Sequence, residues 1–209
     1  MAAVNFSRVS SPVALAACAA ALTMSLAACG SDKDNAASAT SSSAAELVST
    51  ETPAAASACP TAAPASGGTP EWTLAGTTGN IAVTGSTDTT APLVTVDGPF
   101  SVAETQVQTL KPGDGPVVAD TATVLVCYMG VNGRDGSVFD SSYDRGAPVD
   151  FPLTGVVPGF QKAIAGQNVG STVAVAMTSA DGYPEGQPRA GIQPGDSLVF
   201  AIKILDATS

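Results

Sequence analysis

The large side chains that a hydrophobic core requires are crowded into one part of this chain. Of its ten aromatic residues, seven (Tyr128, Phe139, Tyr143, Phe151, Phe160, Tyr183 and Phe200) fall between positions 128 and 200. Aromatic side chains bury large areas and dominate cores, so the compact domain is expected in the C-terminal half. The 209 residues suffice for one good core or two small ones. Eighteen acidic residues against eight basic ones give a formal charge of −10, with no basic cluster. That excludes the electrostatic footprint of a nucleic-acid-binding protein and leaves the acidity a role in solubility.

Within that half, period two dominates. In "TATVLVCY" (121–128) Val124, Val126 and Tyr128 share one face, and Thr123, Leu125 and Cys127 the other. "STVAVAM" (171–177) groups Val173, Val175 and Met177; "SLVFAIKILD" (197–206) groups Leu198, Phe200, Ile202 and Ile204. Alternation with one richer face predicts half-buried antiparallel strands. "VAETQVQTL" and "VDFPL" add a weaker and a short strand. Only "PGFQKAIAG" has helical spacing, through Phe160, Ala163 and Ile164, between Pro158 and Gly166. Two turns do not hold alone in water, so this helix must be pinned on the sheet. The expected fold is α+β: a twisted antiparallel β-sheet with one short α-helix on its concave face.

The rest of the chain reads differently. Residues 1–28 carry Arg8, an apolar run from Val13 to Ala28 and no carboxylate, the pattern of a secretory signal. The run is shorter than the ~20 residues of a spanning helix. Its end, "LAAC", resembles the lipobox of bacterial lipoproteins, which implies acylation of Cys29 and a lipid anchor on the extracytoplasmic face of the cell membrane. Residues 29–70 are mostly Ala, Ser, Thr and Pro without periodicity, and are expected to be a disordered tether of roughly 35 Å root-mean-square span. Residues 71–99 form a β-rich extension, with strands at "NIAVTG" and "PLVTVDG". The compact domain is expected over 100–209.

Candidate chemistry is sparse. The chain has no histidine, which removes Ser–His and Cys–His pairs and makes a zinc site an unfavourable reading. "KPGDGP" and "NGRDG" lack phosphate-loop spacing and read as turns. Asp140 and Asp144 read as loop acids. What is left is a set of aromatic and branched residues with few polar groups. In order, "GDGPVV", "VLVCYMG", "DGSVFDSSYDRG", "VDFPL", "GVVPGFQKAIAGQNVGS", "DGYPEG" and "AGIQPGDSLVFAIKIL" resemble successive blocks of the FKBP-type peptidyl-prolyl cis–trans isomerases, from about Thr105 to Ala207.

The resemblance implies a prolyl isomerase that assists the folding of exported proteins, with no cofactor and with proline-containing polypeptides as substrates. It implies a pocket lined by Tyr128, Phe139, Asp140, Arg145, Phe151, Val156, Val157, Phe160, Tyr183, Ile192 and Phe200. Tyr128, Phe139, Asp140 and Tyr183 would act on the substrate, Val157 would lend its N–H, and Asp140 would bond Tyr128 or Arg145. Macrolide inhibitors of the family are possible ligands. Three departures stand out: Phe160 where many members have tryptophan, Val149 where many have phenylalanine, and Pro184 at a usual glycine. They imply a pocket with less aromatic area.

Because Tyr128 would face that pocket, Cys127 would face the other side of the sheet. In an oxidising compartment Cys59 is its available partner, and a Cys59–Cys127 disulfide that pins residues 60–100 across the back of the sheet is expected; two free thiols are the alternative. An alternative function is a catalytically weak binding module or holdase of the cell envelope, and a third a structural spacer. Nothing in the sequence argues beyond a monomer.

Overall fold

A computed structural model of the chain describes residues 58–64 and 68–208. The expected signal segment 1–28, Cys29 and the tether up to residue 57 lie outside the described residues. Among the described residues there are nine strands and two α-helices: β1 (Trp72–Ala75), β2 (Thr78–Thr84), β3 (Leu93–Ser101), β4 (Gln106–Lys111), β5 (Thr123–Asn132), β6 (Val138–Ser141), α1 (Ser142–Arg145), β7 (Val149–Pro152), α2 (Pro158–Ile164), β8 (Thr172–Met177) and β9 (Leu198–Thr208). They form two antiparallel sheets. One is three-stranded, β1-β2-β3. The other is six-stranded, β4-β8-β9-β5-β6, with β7 sharing the β6 edge of β5. The architecture is the expected α+β one, with α2 as the helix on the large sheet.

The faces predicted from alternation carry the main core. Val124, Val126, Val173, Val175, Met177, Leu198, Ile202 and Ile204 are buried with Phe160, Ala163 and Ile164 of α2. Pro158 opens the helix at a position where a missing N–H costs nothing. A side chain at Gly159 would come within 2.8 Å of the Met177 sulfur, so glycine there lets α2 settle onto β8.

The reverse face is covered by part of the 60–100 segment that the disulfide was expected to pin across it. Ala174 and Ala176 of β8 and Val199 and Ala201 of β9 are buried against Ile81 and Val83 of β2, Phe100 of β3, and Trp72 and Leu74 of β1. The alternation therefore separates large from small residues rather than apolar from polar. The small side let a second sheet approach closely. The boundary read between residues 99 and 100 is crossed by β3, and the β-rich extension shares a core with the domain.

The C-terminal end of the tether is also part of the domain. Cys59 is disulfide-bonded to Cys127, as expected. Residues 58–64, which composition assigned to the tether, are held by that bond, by the Cys59 N–H on the Gly146 carbonyl at 3.2 Å, and by the Ala91 N–H on the Ala62 carbonyl at 2.8 Å. A covalent bond and buried contacts with Ala91 and Tyr143 order a stretch whose composition alone would not.

Candidate functional site

At one end of the main core the side chains stop short of filling the space. A cavity of about 340 Å³ is left, lined by Tyr128, Phe139, Asp140, Phe151, Gly155, Val156, Val157, Phe160, Tyr183 and Phe200. Phe160, the first full turn of α2, is its centre. It meets three rings edge to face: Phe200 at 5.4 Å, Phe151 at 5.7 Å and Tyr128 at 5.9 Å between centroids. Phe139 stands edge-on to Phe200 at 5.5 Å. Edge-to-face pairs contribute about 0.5–1.5 kcal/mol each beyond area burial, so the floor is a rigid aromatic lattice.

The backbone explains how these rings converge. β5 lies between β9 and the β6/β7 edge, so Val124 is opposite Phe151 on one side, and Gly130 is opposite Asp140 on one side and Phe200 on the other. The β5–β6 ladder slips after Gly130: Asp140 pairs with Gly130, but Val138 pairs with Val131. Phe139 is thus the extra residue of a bulge. Consecutive strand residues normally face opposite ways; a bulge re-aims them, and Phe139 and Asp140 both reach the cavity. Gly130 makes the room. A β-carbon there would sit 2.6 Å from Phe139 and 2.8 Å from Phe200.

The polar part of the wall is one connected group. The Tyr128 hydroxyl donates to Asp140 Oδ2. Arg145, at the end of α1, donates to Asp140 Oδ1 at 2.6 Å and to the Tyr128 oxygen at 3.2 Å. Burial, and then the Asp140 carboxylate, push the Tyr128 phenol up to about 12. Burial raises Asp140, but its bonds from Tyr128 and Arg145 outweigh that and hold it below the ordinary carboxylate range. Arg145 is raised in turn, first by Asp140. The group keeps an ionised carboxylate, a protonated phenol and a guanidinium together.

The opposite wall is neutral. Val156 and Val157 come from the 3₁₀ turn Leu153–Gly155 and the start of α2. Among the described residues neither the Val157 N–H nor the Tyr183 hydroxyl makes a hydrogen bond. Tyr183 follows the 3₁₀ turn Ser179–Asp181, which is tied to α2 by Lys162 on Asp181 at 2.7 Å and to the β3–β4 connection by Thr105 on Asp181 at 2.5 Å.

Nine of the eleven residues predicted from the sequence resemblance line this cavity. Arg145 stands behind the lining, bonded to two members of it. Ile192 does not line it: the side chain is buried in the main core, below the loop whose Gln187 and Ile192 pair with each other. Gly155 and Gly130 were missed, because a residue without a side chain leaves no periodic signal. The arrangement has an apolar floor, a polar wall already satisfied within itself, and two unengaged donors opposite. It can hold an extended, mostly apolar group with a carbonyl.

The model of the family described as "FKBP-type peptidyl-prolyl cis-trans isomerase" matches residues 115–205. The chain is 38% identical over 101 residues to the FKBP-type 22 kDa peptidyl-prolyl cis-trans isomerase of Escherichia coli, covering 48% of each chain. It is 36% identical over 96 residues to the probable FK506-binding protein of Corynebacterium glutamicum, covering 46% of this chain and 80% of that one. It is 31% identical over 117 residues to the FK506-binding protein of Streptomyces anulatus, covering 54% of this chain and 94% of that one. The chain spans about half the length of the Escherichia coli relative.

Proposed function

We propose that this chain, which belongs to the FKBP-type peptidyl-prolyl cis-trans isomerase family, catalyses rotation about X–Pro peptide bonds. The observation that carries the reading is the aromatic cavity around Phe160, walled on one side by the self-satisfied Tyr128–Asp140–Arg145 group. The reaction breaks no covalent bond and transfers no proton. Its barrier of about 18–20 kcal/mol is the amide resonance lost on twisting. The planar amide is the more polar form and is disfavoured by leaving water; the twisted form is disfavoured less. A cavity with an apolar floor therefore binds the transition state better relative to the ground state. Each ~1.4 kcal/mol of that difference multiplies the rate tenfold. The ring of proline fits against Phe160 and Phe200, and the Val157 N–H and the Tyr183 hydroxyl are free to donate to the flanking carbonyls.

The test is the isomerisation of a short proline-containing peptide by the purified chain. Acceleration is expected from the wild type, with a loss on the order of tenfold to a hundredfold in both Phe139→Ala and Asp140→Ala. No acceleration by the wild type would overturn the reading; suppression of client aggregation without acceleration would replace it with that of a binding module.

The substrates we assign are unfolded exported polypeptides, met by a monomer outside the cytoplasm. The disulfide supports this, since such bonds persist in oxidising compartments. The "LAAC" run supports acylation at Cys29 and a lipid anchor. Membrane fractionation of wild type and Cys29→Ser tests it: the variant should leave the membrane, and equal partitioning would refute the anchor. A macrolide that fits this cavity would inhibit by occupying it.

A further inference from the structure

The backbone of Tyr128 is completed by a side chain. β5 and β6 pair with Gly130 opposite Asp140 and Met129 opposite Ser141, so the next rung would set Ser142 against Tyr128. The chain leaves the ladder at that point. The Ser141 hydroxyl caps α1 by accepting the Asp144 N–H at 3.2 Å, and Ser142 becomes the first helical residue. The hydroxyl of Ser142 then supplies the missing rung. It accepts the Tyr128 N–H at 2.8 Å and donates to the Tyr128 carbonyl at 3.3 Å.

Ser142 is fully buried and Tyr128 is buried as well. The Sγ of Cys59 lies 3.4 Å from the same hydroxyl oxygen. The Cys59 N–H also bonds the carbonyl of Gly146, the left-handed cap of α1. The single turn that carries Arg145 is therefore held at its first residue by the Ser142 hydroxyl and at its C-terminal cap, Gly146, by Cys59. From that turn Arg145 reaches back to Asp140 and the Tyr128 hydroxyl.

We propose that Ser142 is a positioning residue for the isomerisation: its hydroxyl fixes the Tyr128 backbone, and through it the phenol shared with Asp140 and Arg145, with the Cys59–Cys127 disulfide as the abutment behind it. This rests on the isomerase reading. Alanine at 142 would leave a buried N–H and a buried carbonyl without partners, a costly state that the strand relieves by shifting. A displacement of the order of an ångström at a reacting site is worth up to about a hundredfold in rate.

The test compares Ser142→Ala, Ser142→Thr, Tyr128→Phe and the Ser142→Ala/Tyr128→Phe double variant, all in the full oxidised chain. Ser142→Ala should lower kcat/KM about tenfold, and Ser142→Thr, which keeps the hydroxyl, should recover most of it. In the Tyr128→Phe background the alanine change should cost less than about threefold, because the group it positions is gone. Carbon-13 NMR of Cζ-labelled tyrosine gives a readout that needs no activity: the Tyr128 resonance should move in Ser142→Ala, while that of Tyr183 stays. Equal losses in both backgrounds, or an unmoved Tyr128 resonance, would overturn the proposal. A wild type that accelerates nothing while Tyr128 still moves would sink the isomerase reading and leave the positioning intact.

Discussion

Tyr128 and Asp140, which share a hydrogen bond in the cavity wall, are both shifted away from neutral pH. Tyr128 is pushed up to about 12 by burial and then by Asp140. A raised phenol contributes stability that is complete below the unfolded value near 10 and is lost as pH climbs through the folded value. Asp140 is lowered overall despite its burial. Its contribution is complete above the unfolded value near 3.9 and is lost as pH falls through the folded value. The chain has no histidine to titrate between these windows. Activity and thermal midpoint should accordingly be flat from about pH 5 to pH 9. An inflection in kcat/KM within that span would mean that another group takes part. The same residues mark how far period carries a sequence reading. Alternation cannot put Phe139 and Asp140 into one cavity; only the ordered resemblance did, and the bulge opposite Gly130 is the physical reason. Ile192 went the other way, a pocket expectation that the core absorbed, because an apolar side chain at a loop end packs inward or outward with the same local sequence.

At the level of elements, the strands β5, β8 and β9 and the helix α2 were legible because each carries a regular apolar face. β1, β6 and α1 are four residues each, too short for any period to show. The second sheet was legible in two of its strands and, through the Cys59–Cys127 expectation, as a cover for the back of the large sheet; the buried core it shares there was not, because the alanines of β8 and β9 look like a solvated face until something packs on them. Its contribution can be measured. Ile81 is buried where the two sheets meet. Ile81→Ala should destabilise the protein by about 2–5 kcal/mol, the cost of a large-to-small change in a core. It lies on the face away from the cavity, so isomerisation by the folded variant should be unchanged. Trp72, the only tryptophan, packs against the same cluster and reports on it. Urea unfolding followed by Trp72 fluorescence should coincide with that followed by far-UV circular dichroism. Two separated transitions would show that the sheets unfold independently.

For the whole molecule the governing feature is one covalent bond between sequence-distant parts. Cys59 precedes the entire three-stranded sheet, and Cys127 lies in the middle of β5, 68 residues later. The bond therefore closes a loop that contains β1 to β4, while neither the main core nor the cluster shared by the two sheets includes either cysteine. The reduced chain should still fold, at lower stability. In the chain-entropy relation a loop of this length contributes about 4 kcal/mol, which for a domain of roughly 150 residues corresponds to a shift on the order of 10 °C in the thermal midpoint. The bond also backs Ser142 and the turn that holds Arg145, so its loss reaches the site as well as the stability. Protein made without residues 1–28 in a reducing compartment should melt low and isomerise slowly, and should gain on both counts when oxidised. The Cys59→Ala/Cys127→Ala variant should match the reduced form and be indifferent to oxidant. If oxidised and reduced protein melt together, the bond does no more than tether an N-terminal segment.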